Sequence, residues 1–107
     1  MAKYLLIESR DPWEYRDTEF FYDLTRDLAG AGNEVTLYLI QNGALVARKG
    51  VRPDPLAALS GVQVLVDEFS LRERGIKREA LAANVRVSDV DQLVDLLADG
   101  GTKAIWH

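Results

Sequence analysis

Residues 3–8 (KYLLIE), 34–40 (EVTLYLI) and 62–66 (VQVLV) are apolar runs too short for a stable helix and rich in branched and aromatic side chains. Such runs read as buried strands. What lies between them changes period. From Asp17 to Ala31, Phe21, Leu24 and Leu28 recur at helical spacing, with Phe20 added to the stripe, Asp17 as N-cap and Gly32 as the stop. The stretch 41–50 reads as a loop entering a short helix. A turn with two prolines (51–55) and one or two helical turns (56–61) precede the third strand. Residues 68–75 suggest a short helix, 78–85 a helical turn, and 85–87 a brief strand. Ser88 and Asp91 match an S-x-x-D capping pair ahead of a helix over 88–101, with Val90, Leu93, Val94 and Leu97 as its apolar face. KAIW (103–106) is a last strand. Strands alternating with helices predict one α/β domain, a three-layer α/β/α sandwich around a mostly parallel sheet.

Composition narrows the chemistry. The 107 residues fit a single domain. There is no cysteine, so disulfides, thiolate metal sites and thiol mechanisms are excluded within this chain. The single histidine, His107, is too little for a histidine-based triad or a multi-histidine metal site. A formal net charge of −4 argues against nucleic acid as a partner. Lys and Arg form no run longer than a pair, such as Arg48-Lys49. No apolar segment reaches the length of a membrane span. The start has no signal-peptide shape, so a cytoplasmic location is expected.

In a parallel sheet, ligands bind beyond the carboxyl ends of the strands. Three segments compete for that place: Glu8–Tyr15, Gln41–Leu45 and Asp67–Ser70. Asp67 and Glu68 are adjacent carboxylates at the end of the third strand. Asp67 there is either a helix cap or a catalytic group. Glu8 can pair with Arg10 or reach the rim. Nothing in the carboxylate spacing demands a metal, and no cofactor motif is present. Gly43 with Asn42 can offer backbone donors to an anion, or simply make a turn. Arg72 and Arg74 form either an anion clamp or local ion pairs with Glu68 and Glu73. Trp13 and Tyr15 sit in a polar loop, where aromatic rings need a surface to cover.

The segments KYLLIESRDPWE, LAGAGNEVTLYLIQNGALVARKG, GVQVLVDEFSLRERGI and TKAIW together resemble the DsrE/DsrF/DsrH family of small sulfur-relay proteins, which includes the Tus proteins of tRNA thiolation. In thiol-bearing members a strand ends in a cysteine that accepts and passes on a persulfide sulfur. A small helix follows and closes in Arg-Gly-hydrophobic. Counting back from Arg74-Gly75-Ile76, the cysteine's place matches Asp67. Trp106 is similar to the strand ending of the DsrH/TusB branch. The resemblance implies a five-stranded parallel sheet and assembly into trimers or hexamers, as a homo-oligomer or with sister subunits. Trp13, Tyr15, Phe20 and Tyr22 are then interface candidates. It also implies an accessory, non-catalytic subunit, with Asp67 and Glu68 lining the vestigial thiol site. The alternative is a small-molecule or anion-binding module, nucleotide-like in its ligand, using Asn42, Gly43 and Arg72. An enzyme using Glu8 or Asp67 as general base has the least behind it.

Overall fold

The computed structural model describes residues 1–107. Five strands form one sheet: β1 (Lys3–Glu8), β2 (Glu34–Leu39), β3 (Val62–Asp67), β4 (Val85–Ser88) and β5 (Thr102–Trp106). Their order is β4-β3-β2-β1-β5, and every pairing is parallel. Parallel neighbours need crossovers. These are supplied by α1 (Thr18–Gly30), by 3₁₀ segments at Gln41–Ala47 and Pro55–Ala58, by α2 (Glu68–Glu73) and by α3 (Val90–Ala98). No helix is long and apolar enough to cross a membrane.

The pleat sends alternate side chains to opposite faces. Leu6, Val35, Leu37, Leu39, Val64 and Val66 meet Phe21 and Tyr22 of α1 and Leu71 of α2 in a core of 15 buried residues. Leu5, Ile7, Tyr38 and Leu65 form a smaller core on the other face, covered by Leu93 and Leu96 of α3. Tyr38 is accommodated there because its hydroxyl bonds with the Ser88 hydroxyl at 3.0 Å and the Asp89 carbonyl at 3.1 Å.

Three local expectations shift. The inward arc of α1 is Thr18, Phe21, Tyr22 and Thr25, whereas Leu24 is partly and Phe20 largely exposed. The sheet accepts small hydroxyls here because Thr25 donates its side-chain proton back to the Phe21 carbonyl at 2.8 Å. Tyr22 is therefore a core residue and leaves the set of interface candidates. At α3, Ser88 completes β4 and Asp89 caps the helix, its carboxylate accepting from the Gln92 N–H at 3.0 Å. The helix turns Leu93 and Leu96 inward and leaves Val90, Val94 and Leu97 in solvent.

Candidate functional site

Because β3, β2 and β1 are neighbours, the segments leaving their carboxyl ends share one rim. At one end of it, Asp67 closes β3 with extended backbone and caps α2. Its Oδ2 accepts from the Ser70 N–H at 2.9 Å and from the Ser70 hydroxyl at 2.7 Å. Ser70 is buried, and its oxygen accepts in turn from the Gln41 N–H at 2.8 Å. Gln41 has φ 51°, a left-handed conformation that a residue with a Cβ holds only when its surroundings impose it. Arg74 completes the corner. Its guanidinium donates to Asn42 Oδ1 at 3.1 and 2.9 Å and to the Ser70 carbonyl at 3.2 Å. Gly75, at φ +64°, then turns the chain away.

These bonds decide what the corner can do. Asp67 has both donors of Ser70 on one oxygen, and the Ser70 hydroxyl has given its proton to Asp67. The arrangement locks the β2 and β3 exits together. Asp67→Ala is expected to lower stability by about 1–2 kcal/mol, the range of a lost cap with a stranded hydroxyl, read as a lower urea midpoint. Asp67→Asn, which keeps one acceptor, falls between.

Gly43 sits in the middle of the rim. Its N–H donates to the Ile40 carbonyl at 2.9 Å and the Ser9 carbonyl at 3.2 Å. A Cβ at this position would overlap the Glu8 carbonyl oxygen. The Gly43 N–H is thus spent on backbone, and Asn42 Oδ1 accepts from Arg74. Arg72 and Glu68 are not on the rim. They line a separate hollow of about 490 Å³ between α2 and β4, with Leu71, Ile76, Arg78 and Val87. Arg78 pairs with Glu68 there at 3.7 Å, and outside the hollow Arg74 pairs with its neighbour Glu73 at 3.9 Å.

At the β1 end stands a cluster that the sequence did not suggest. Glu8 is fully buried. Its carboxylate accepts from the Arg10 N–H at 3.0 Å, and His107 Nδ1 lies 2.9 Å from both of its oxygens. His107 Nε2 reaches Asp17 Oδ2 at 3.0 Å, and the imidazole stacks on Phe21 with centroids 5.2 Å apart. Burial pushes the Glu8 carboxyl above its usual range, against the pull of the His107 and Arg10 hydrogen bonds. Burial alone would lower His107, but its bonds to Glu8 and Asp17 and their charges outweigh this and raise it. Asp17 is held below the usual range, chiefly by the His107 bond. Asp17 is thus at the N-cap position of α1 without capping it. The Arg10 guanidinium pairs with Asp17 at 3.5 Å and not with Glu8. No three His, Asp or Glu side chains are placed to hold a metal ion.

Of the aromatic residues, Phe20 is 80% exposed. Trp13 is half-buried, its indole N–H donating to the Arg52 carbonyl at 2.8 Å and Arg48 lying 5.8 Å from its ring centre. Tyr15 carries Arg10 at 5.2 Å from its ring.

No curated protein matches the chain in sequence. Among solved structures, the ychN protein from E. coli shares the fold with a TM-score of 0.88 at 16% identity, covering 100% of both chains. A protein of unknown function from Methanobacterium thermoautotrophicum does so with a TM-score of 0.83 at 18% identity, again over 100% of both. The five-stranded parallel sheet is thus the fold of these neighbours. The sequence profile of the DsrE/DsrF-like family matches residues 2–105, so the chain, without a single cysteine, belongs to the DsrE/DsrF-like family.

Proposed function

We propose that this chain is a non-catalytic, accessory subunit of a cytoplasmic assembly of DsrE-like chains, built of its own copies or of sister subunits. The observation that carries this reading is the Asp67 corner. The position matching the thiol of the resembling sulfur-relay proteins holds a carboxylate, which cannot form a persulfide. One oxygen of that carboxylate accepts both donors of Ser70 and so ties α2 to the rim. What the molecule offers instead is surface. Phe20 on one side, and Val90, Val94 and Leu97 of α3 with Trp106 on the other, leave apolar side chains in solvent. Grouped apolar exposure of this kind marks contact with another chain.

Native mass by light scattering, for the chain alone and mixed with sister DsrE-like subunits, tests the proposal. The expected result is a trimer or hexamer, from this chain or from the mixture. Phe20→Ser or Val94→Ser is expected to shift it toward monomer, with the melting curve of the isolated chain unchanged. A wild-type chain that stays monomeric in both settings overturns the proposal.

A further inference from the structure

The Arg48-Lys49 pair takes no part in the rim or in the cores. It lies in a turn, residues 48–52, that is fastened from both sides. Lys49 N–H donates to the Ala80 carbonyl at 2.8 Å and Ala82 N–H to the Ala47 carbonyl at 2.8 Å, with Arg48 bridged to Leu81. Arg48 Nε donates to the Leu45 carbonyl at 2.8 Å, which aims its guanidinium over Trp13. From the other side, the Trp13 indole N–H holds the Arg52 carbonyl. The result is a hollow of about 380 Å³ walled by Trp13, Arg48, Lys49, Val51 and Arg52. It contains three cations and no carboxylate. None of the three has an acidic partner within salt-bridge distance, although the chain as a whole is acidic.

Trp13 is also a wall of the next hollow, a groove of about 480 Å³ along α1. That groove differs in character. Pro12, Pro53, Pro55 and Leu59 supply flat apolar walls, and Glu19 and Asp54 supply acceptors. Tyr22, 94% buried by its 6% exposure, lines it, and the Tyr22 hydroxyl is the one buried side-chain polar atom without a hydrogen-bond partner.

We infer that these adjoining hollows form a binding site for a mononucleotide-like phosphate ester. The phosphate lies among Arg48, Lys49 and Arg52, and the ring and sugar lie in the groove beyond Trp13. A compact anion suits a preorganised cluster of unpaired cations. A flat heterocycle suits an indole face and proline walls. Ribose hydroxyls suit carboxylate acceptors. The site is separate from the Asp67 rim, and it does not depend on the subunit reading above.

The test is a fluorescence titration of Trp13 in a Trp106→Phe background, with AMP, adenosine and inorganic phosphate as probes. AMP is expected to give a saturable change that weakens with added salt. Adenosine and phosphate alone are expected to bind about tenfold more weakly or worse, since each fills one hollow. Lys49→Ala combined with Arg52→Ala is expected to weaken AMP by about tenfold or more while leaving the circular dichroism spectrum and melting point in place. AMP without effect at millimolar concentration overturns the inference, as does AMP binding that survives the double substitution. A short single-stranded RNA that binds where AMP does not overturns it too, in favour of a nucleic-acid surface.

Discussion

His107→Ala is expected to destabilise the fold by about 3 kcal/mol at neutral pH, the scale for stranding one member of a buried ion pair. Glu8 has no exposure with which to recover water, and the imidazole is its only side-chain partner. The stacking on Phe21 is lost as well. Adding Glu8→Gln is expected to restore part of the loss, because an amide oxygen still accepts from the Arg10 N–H and carries no buried charge. The pH dependence has a definite sign. A raised His107 contributes stability that is whole below its unfolded value of 6.5 and is lost as pH rises through its folded value. A raised Glu8 acts the same way above 4.5, because the fold binds its proton more tightly than the unfolded chain does. Asp17, lowered, opposes them only in acid, where its contribution is lost as pH falls below 3.8. The wild-type melting temperature is therefore expected to peak in mild acid and to fall as the pH rises above 6.5. In His107→Ala that fall is expected to flatten. Calorimetry across that range reads both effects, and an unaltered slope would remove the imidazole from the account.

Gly43→Ala is expected to be at least as damaging, about 3 kcal/mol or an insoluble chain, although it adds a single methyl group. The obstacle is the Glu8 carbonyl, a backbone atom in the middle of the sheet's rim, so no side chain can swing aside. Relief requires the 41–47 segment to lift, which breaks the bonds from Gly43 to Ser9 and Ile40 and pulls Gln41 from Ser70. Urea unfolding of soluble protein, or the soluble fraction on expression, measures the loss. Gly30→Ala, at a helix end with nothing within 4 Å of the added atom, is the matched control and is expected to be harmless.

The strands were legible because each is a short apolar run between polar segments, and β1 is bounded as the pattern sets it, Lys3–Glu8. A mostly parallel sheet follows from their alternation with helices, and the family resemblance implied five strands all parallel, as found. Less legible was which face of a helix turns inward. Phe20 and Leu24 are large and apolar, yet α1 buries Thr18 and Thr25, because a close-packed face selects by shape and by satisfied hydroxyls as well as by hydropathy. The Asp67 corner was half visible. Its cap follows from the strand-to-helix junction, but the Ser70 bridge to Gln41 spans 29 positions. The Glu8–His107 contact spans 99. Only the pairing of β5 beside β1, with Ile7 opposite Trp106, brings the next residues of each strand together. Composition set the lone histidine aside because it tallies residues without placing them.

The two sheet faces are unequally covered, and this sets an order of opening. The α1 face buries a 15-residue cluster, whereas the α3 face holds four buried residues under two leucines of a nine-residue helix. Regions with few buried apolar contacts open at the lowest free energy. Helix α3 is thus the part of the molecule that can leave its seat while the strands stay paired. Under the proposed assembly, the surface that would meet a second subunit is also the softest layer, so association there would gain contact and rigidity in a single step.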